Sequence, residues 1–121
     1  MSAKKFDCKS TCFEVVEGHD LTGKNVIVTG ANSGIGVETV RSLASVGATV
    51  FMTARNTEKA QSVLDDIVKS TGNKNVHLEQ LELDSLDNVN DFVKRFLARD
   101  IPLHIMVNNA GVMACPLSYT R

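Results

Sequence analysis

A glycine-rich turn is the feature of this sequence whose residue types and spacing most clearly suggest chemistry. Gly30, Gly34 and Gly36 lie in the stretch TGANSGIG, which follows the apolar run VIV. The run predicts a buried strand, and the residues after the turn predict a helix. The first glycine permits a sharp exit from the strand, the second a close approach of backbone N–H groups to a ligand, and the third tight packing of the helix. Because a helix N-terminus also carries unpaired N–H groups and partial positive charge, the turn predicts a phosphate site.

The residues after the turn and after the next strand narrow the choice of ligand. A nucleoside-triphosphate loop ends in Gly-Lys-Ser/Thr, whereas this turn continues into Val37 and Glu38. An NAD site commonly places an acid about 20 residues beyond the glycines, on the ribose 2′-hydroxyl. Here the strand ends Thr-Ala-Arg-Asn with no acid before Glu58, and the guanidinium of Arg55 suits a 2′-phosphate. The pattern favours NADP(H) over NAD(H); the alternative interpretation of Arg55 is a solvated arginine before a helix.

The elements that must position these residues alternate between strand and helix. Apolar runs predict strands at 25–29, 49–53, 76–83 and 103–107, with a bend near Gln80. Ser33, Asn56 and Ser85 are placed to begin the intervening helices, and Gly47 and Gly72 to end the first two. The result is an α/β fold, a doubly wound parallel sheet of about four strands in the order 3-2-1-4.

Helical spacing predicts which apolar side chains face the core. In the first of the three helices these are Ile35, Val40, Leu43 and Ala44, and in the second Ala60, Val63, Leu64, Ile67 and Val68. The last helix should direct six apolar residues inward, namely Leu86, Val89, Phe92, Val93, Phe96 and Leu97. His104 lies in the apolar fourth strand, where we expect a core histidine with a satisfied ring rather than a catalytic group.

Composition bounds the class of protein. The 121 residues suit one domain, with 43% hydrophobic and 22% charged residues, as in ordinary globular proteins. A net charge of −1 argues against a nucleic-acid partner, and no apolar run reaches the roughly 20 residues of a transmembrane helix. Residues 1–20 form an N-terminal arm without an export signal, which predicts a cytoplasmic protein with free thiols at Cys8, Cys12 and Cys115. We see no fourth ligand for a zinc site and predict no metal.

Two further motifs carry a family resemblance. LELD ends in Asp84, and NNAG occupies 108–111 after the fourth strand. Together with T-G-x-x-x-G-x-G, they resemble the short-chain dehydrogenase/reductase family from about residue 20 onward. DLTGKNVIVTGANSGIG, ARN and PLHIMVNNAGVM are especially similar to the retinol dehydrogenases and the WW domain-containing oxidoreductases. The combination of motifs is specific, whereas the glycine pattern alone is not.

The resemblance implies a set of dinucleotide-binding residues. Those at the glycine turn would line the pyrophosphate and its ribose, Arg55 would hold the 2′-phosphate, and Asp84 would accept a hydrogen bond from the adenine amino group. Residues 109–111 would lie by the adenosine ribose, and Asn108 would tie the central strands together. The full implied set is Gly30, Asn32, Ser33, Gly34, Ile35, Gly36, Arg55, Asp84, Asn109, Ala110 and Gly111. The alternatives are that Asp84 belongs to a helix cap and that NNAG is only a turn.

The same resemblance implies that the catalytic half of the fold lies outside this sequence. The family uses a serine and a Tyr-x-x-x-Lys pair from its second half, while the only tyrosine here, Tyr119, has no residue four places on. We therefore expect a Rossmann half-domain at 21–121 that binds NADP as part of an oxidoreductase acting on carbonyls or alcohols. The alternatives are an inactive truncated isoform or gene fragment, and a nucleotide sensor. An uncovered fourth strand would also favour self-association.

Overall fold

A computed structural model describes residues 5–121 as a three-layer α/β fold. The four strands pair in parallel in the order β3-β2-β1-β4, as predicted. The elements in chain order are α1 (Cys12–Val16), β1 (Asn25–Val28), α2 (Gly34–Ser45), β2 (Thr49–Ala54), α3 (Thr57–Thr71), β3 (Val76–Gln80), α4 (Leu86–Leu97) and β4 (Ile105–Val107).

One face of the sheet is covered by α2 and α3. Alternate strand residues Val26, Val28, Val50 and Met52 are fully buried there, because successive side chains of a strand point to opposite faces. The predicted stripe of α3 is confirmed, since its five apolar residues are buried or packed against this cluster. In α2 the prediction is wrong for Ile35, which lies in the first turn of the helix, is 79% exposed and packs against neither buried cluster.

The other face is covered by α4 alone. Phe92 and Phe96 pack on Ile27, Phe51 and Leu81, with Val89 half-buried beside them. The remaining three residues are not buried, since Leu86, Val93 and Leu97 are 65%, 43% and 69% exposed. Val93 and Leu97 face the sheet as predicted but line an open apolar groove beside β4, whereas Leu86 lies outside it. A single helix over a four-stranded sheet contacts only a narrow stripe of side chains, so the flanks of its apolar face stay in solvent.

Local sequence signals begin and end two of the helices as expected. Asn56 and Ser85 accept hydrogen bonds from the backbone N–H groups three residues on, at 3.1 and 3.2 Å. Gly72 closes α3 in the left-handed conformation, at φ 72°, where a side chain would be strained. These caps place the starts of α3 and α4 and the end of α3 where the sequence predicted them.

The third and fourth strands are shorter than the apolar runs indicated. β3 ends at Gln80, where the bend was expected, rather than continuing through 83, because β2 offers no partner after the Leu81–Ala54 hydrogen bond of 3.0 Å. β4 begins at Ile105, and His104 is exposed rather than in the core. Its Nδ1 accepts a hydrogen bond from Asn25 N at 2.9 Å, so the ring is satisfied at the surface instead.

The N-terminal arm contains a helix that the sequence pattern did not predict. Thr11 Oγ1 accepts from Glu14 N, and Glu14 accepts from Thr11 N, which forms a capping box for α1. Cys12 Sγ lies 3.8 Å from the carbonyl oxygen of Glu38 in α2, and Cys8, Cys12 and Cys115 are free thiols. Within residues 5–121 no helix is long and apolar enough to cross a membrane.

Candidate functional site

An open cleft of about 680 Å³ lies where the carboxyl ends of β1, β2 and β4 meet. In doubly wound folds ligands bind at this edge of the sheet. Ten of the eleven residues in the implied dinucleotide-binding set line it, namely Gly30, Asn32, Ser33, Gly34, Ile35, Arg55, Asp84, Asn109, Ala110 and Gly111. The structure therefore gathers in one cleft residues that are up to 81 positions apart in the chain.

The glycine turn has backbone conformations that explain its glycines. Gly30 and Gly34 have φ values of 62° and 60°, where side-chain-bearing residues are strained. A Cβ on Gly30 would also lie 2.9 Å from Ala110 Cα. Ser33 is the N-cap of α2, but its side chain makes no cap hydrogen bond. The first turn of α2 thus keeps backbone N–H groups for an external acceptor, which is the arrangement that binds phosphate in other proteins.

Gly36 is the member of the implied set that does not line the cleft. A Cβ there would lie 2.7 Å from Asn109 Nδ2 and closer still to the carbonyl oxygen of Gly30. It stands behind the turn, where α2 passes against the NNAG segment. Its small size is needed for packing, as the sequence predicted for the third glycine of the motif.

The NNAG segment locks onto the glycine turn through Asn109. Its Nδ2 donates to the carbonyl oxygens of Thr29 and Gly30, both at 3.1 Å, and Ala110 N donates to Thr29 Oγ1 at 3.0 Å. The expectation that Asn108 would tie these strands is therefore wrong, because the Asn108 side chain is exposed and the neighbouring asparagine points to the turn. NNAG is therefore more than a strand-ending turn, because Asn109 binds the carbonyl oxygens of Thr29 and Gly30 at the start of the glycine turn.

Arg55 lines the cleft directly after β2. Within residues 5–121 its guanidinium has no hydrogen bond or ion pair, and the residue is exposed. The neighbouring Thr53 is 2% exposed, and its carbonyl oxygen accepts a hydrogen bond from Ala31 N at 3.1 Å, which holds the glycine turn against β2. The cleft contains one carboxylate, Asp84, and it follows β3 instead of β2. The end of β2 therefore offers a cation that has no partner in the described part of the chain.

Asp84 lies in the cleft but is engaged by the chain itself. Arg121 places its Nη2 3.4 Å from Asp84 Oδ1 and 2.9 Å from Glu82 Oε2. The Glu82 hydrogen bond, followed by the charge of Asp84, raises the pKa of Arg121, which stays cationic. The N-cap hydrogen bond of α4 is accepted by Ser85 Oγ, which leaves the Asp84 side chain beside the cap and in contact with Arg121.

The cleft also contains residues that sequence reasoning did not select. Three of them, Ser118, Tyr119 and Thr120, belong to the segment after NNAG, and the others are Thr53, Ala54, Leu81, Leu83 and Val112. Leu83, Val112 and Tyr119 are 49%, 86% and 84% exposed. Exposed apolar groups among convergent polar ones are typical of small-molecule sites. Leu83 could have been predicted to line the cleft because it precedes Asp84 in the LELD motif. Residues 118–120 belong to no motif, so the sequence held no signal for them.

The described lining of this cleft contains few side chains that titrate. Tyr119 is its only aromatic residue, and neither a histidine nor a lysine lines it. Within residues 5–121, no group of three or more His, Cys, Asp or Glu side chains could hold a metal ion. The arrangement can bind and orient a phosphate-bearing ligand.

A parallel sheet in the order 3-2-1-4, with a glycine turn at the end of its first strand, defines the doubly wound class of dinucleotide-binding folds. The family profile described as short chain dehydrogenase matches residues 24–120. The chain belongs to the short-chain dehydrogenase family.

Named relatives agree with this membership. Human retinol dehydrogenase 11 is 43% identical over 117 residues, covering 97% of this chain and 36% of that protein. Human WW domain-containing oxidoreductase is 40% identical over 118 residues, covering 98% and 28%. A solved metagenomic short-chain oxidoreductase in complex with NADP superposes with a TM-score of 0.69 at 38% identity, over 76% of this chain and 41% of that one. The chain thus spans about a third of the length of these curated relatives.

Proposed function

We propose that residues 21–121 form the NADP(H)-binding part of an oxidoreductase that acts on carbonyls or alcohols. The observation that carries the proposal is the unpartnered guanidinium of Arg55, which lines the same cleft as the glycine turn with no acid at the end of β2. A guanidinium in this place suits a ribose 2′-phosphate and would leave the 2′-hydroxyl of NAD without its usual carboxylate acceptor. The complex of a similar short-chain oxidoreductase with NADP supports the same choice.

The residues of the cleft fit such a cofactor. The left-handed glycines permit close approach of the pyrophosphate, and the first turn of α2 supplies N–H donors to its oxygens. Arg55 would bind the 2′-phosphate, Asp84 the adenine amino group, and residues 109–111 the adenosine ribose. The bound nicotinamide would supply or accept the hydride. What residues 21–121 contribute is therefore binding and orientation at the phosphate and adenosine end.

For the substrate, we propose an apolar alcohol or carbonyl compound such as a retinoid or a steroid. The support is similarity to proteins named retinol dehydrogenase, which are 42–45% identical to this chain. No residue of the described cleft discriminates among such substrates. NADPH oxidation in the presence of a panel of aldehydes and ketones tests the proposal. We expect turnover with apolar carbonyls if the residues that complete the catalytic centre are supplied with this chain.

A second function, dinucleotide binding without turnover, is favoured by one feature of the cleft. Among residues 5–121, neither a histidine nor a lysine lines it beside the glycine turn. Under this proposal, the chain binds NADP or interacts with a full-length relative and leaves carbonyls unchanged. NADPH oxidation by the 121-residue chain alone would contradict it.

The cofactor proposal is tested by titrating NADPH and NADH into the wild-type chain, Arg55→Ala and Lys69→Ala. Losing a charge-assisted contact to the 2′-phosphate should cost about 1.5 to 3 kcal/mol, or roughly tenfold or more in NADPH affinity. The affinity for NADH should stay unchanged, since that cofactor lacks the phosphate. Lys69 is exposed in the last turn of α3 and does not line the cleft, so its removal controls for the loss of one positive charge. Equal wild-type affinities for the two cofactors would refute the role of Arg55.

We also propose that the chain self-associates through β4. This strand lies at the sheet edge, and Met106 is 44% exposed beside an apolar groove of about 340 Å³ between α4 and β4. An apolar edge strand is a template for pairing with another chain. Met106→Lys should shift sedimentation toward the monomer, whereas Val15→Lys, at a residue of similar exposure in α1, should not. A wild-type chain that stays monomeric across the accessible concentrations would refute the proposal.

A further inference from the structure

The segment 117–121 returns to the end of β3 and is fastened around Asp84. Arg121 N donates to the carbonyl oxygen of Asp84 at 2.6 Å, and Leu86 N donates to the carbonyl oxygen of Arg121 at 3.1 Å. The Arg121 side chain adds contacts to Glu82 Oε2 and Asp84 Oδ1 at 2.9 and 3.4 Å. Two backbone bonds and two charge-assisted contacts thus fix one residue, while the three residues before it line the cleft.

This attachment leaves one oxygen of Asp84 available. Arg121 approaches Oδ1, and among residues 5–121 Oδ2 has no hydrogen-bond partner. Asp84 is 43% exposed at its side chain and lies on the cleft wall with Leu83 and Tyr119. The contact of Arg121 with Oδ1 restricts the orientation of the carboxylate and leaves Oδ2 able to accept a hydrogen bond from a ligand in the cleft.

We infer that Arg121 is a positioning residue for the purine end of the dinucleotide site, and that it sets a preference for a 6-amino purine. The inference rests on the proposed NADP(H)-binding function and adds to it a specificity determinant outside the glycine turn, Arg55 and NNAG. With Arg121 on Oδ1, Oδ2 accepts a hydrogen bond from an exocyclic amino group. A 6-oxo purine would instead place a carbonyl oxygen against the carboxylate, where neither group can donate. Residues 118–120, which line the cleft, are held as the adjoining wall.

The experiment compares NADPH with its reduced hypoxanthine analogue, in which an oxo group replaces the 6-amino group. Both are titrated into the wild-type 121-residue chain, Arg121→Gln, Arg121→Lys and the control Arg99→Gln. We expect the wild type to prefer NADPH by about tenfold, as for a hydrogen bond to a charged group. Arg121→Gln should reduce this preference to about threefold or less, and Arg121→Lys should restore part of it because the charge remains. Arg99 forms its ion pair with Glu79 away from the cleft, so Arg99→Gln should keep the full preference.

The outcomes separate this inference from the function on which it rests. Arg121 is 66% exposed at its side chain, so the glutamine variant should fold, which circular dichroism checks. Its ratio of NADPH to NADH affinity should stay at the wild-type value, because Arg55 is untouched. A full 6-amino preference in Arg121→Gln, or tighter NADPH binding than in the wild type, would overturn the inference and leave the proposed function standing. Failure of the wild type to bind NADPH would overturn both.

Discussion

Replacement of Gly36 by alanine should destabilise the fold through the contact between α2 and the NNAG segment. The added Cβ would lie 2.7 Å from Asn109 Nδ2, 3.0 Å from Ala31 Cα and closer still to the carbonyl oxygen of Gly30. Two of these are backbone atoms, which cannot rotate away, and the third belongs to the side chain that donates both 3.1 Å hydrogen bonds to the turn. Relief of the overlap therefore requires α2 to move or Asn109 to release its acceptors.

The magnitude follows from three opposing effects. Overpacking costs about 1–3 kcal/mol, and weakening of the Asn109 hydrogen bonds adds about 1 kcal/mol. The better helix propensity of alanine returns up to about 1 kcal/mol. We expect a net loss of about 2 kcal/mol in the free energy of unfolding, which for 121 residues lowers the melting temperature by roughly 6–12 °C.

Urea and thermal unfolding followed by far-ultraviolet circular dichroism measure this loss. Gly111→Ala is the matched control, because Gly111 has no positive φ and a Cβ there meets nothing within 4 Å. Its unfolding free energy should stay within about 0.5 kcal/mol of the wild type. The reasoning fails if Gly36→Ala is as stable as the wild type, or if Gly111→Ala loses as much.

Two further predictions concern stability away from the cleft. Burial, followed by the charge of Arg99, lowers the pKa of His77 below 6.5, although Glu79 opposes the shift. Since the unfolded state then takes up the proton first, stability should fall as pH drops below about 6.5. His77→Phe, which keeps the stacking on Phe51, should flatten that part of the pH–stability curve, and an unchanged curve would exclude His77 as the cause. Asn73→Ala should lower the free energy of unfolding in urea by about 1–3 kcal/mol. The reason is that Asn73 Nδ2 donates to the carbonyl oxygens of Ala44 and Ala48 at 3.0 and 2.8 Å. A loss below about 0.5 kcal/mol would indicate that water replaces the amide.

Much of the fold could be predicted because its signals are local. Apolar periodicity located the four strands and three of the helices, and Asn56 and Ser85 marked two helix starts through their own side chains. Periodicity identifies the apolar face of a helix such as α4, but it does not show how much of that face the sheet will cover. Leu86 and Leu97 were therefore expected in the core, although they are exposed. A short helix such as α1 is defined by its capping box and not by an apolar repeat, so periodicity did not predict it.

The cleft was predictable only where its residues belong to motifs. Gly30, Arg55 and Asn109 follow strands whose order was expected, so their convergence was expected too. Adjacent residues of one motif differ in direction, however, and the pattern did not reveal that Asn109 rather than Asn108 reaches the turn. The contact of Arg121 with Asp84 joins residues 37 positions apart through an irregular segment, for which no periodicity exists.

The strands of the sheet should differ in how readily they open locally, because they differ in the number of neighbouring strands and in burial. β1 has a hydrogen-bonded strand on each side and buried residues on both faces, whereas β4 has three residues, a single neighbouring strand and a half-open groove beside it. Amide exchange should therefore be slowest along β1 and β2 and faster along β4, because the edge strand is held by one neighbouring strand and its residues are only partly buried. The NNAG segment lies directly after β4. Fluctuations of that strand would reach the cleft through Asn109, so that a ligand held there and the order of the sheet edge stabilise each other.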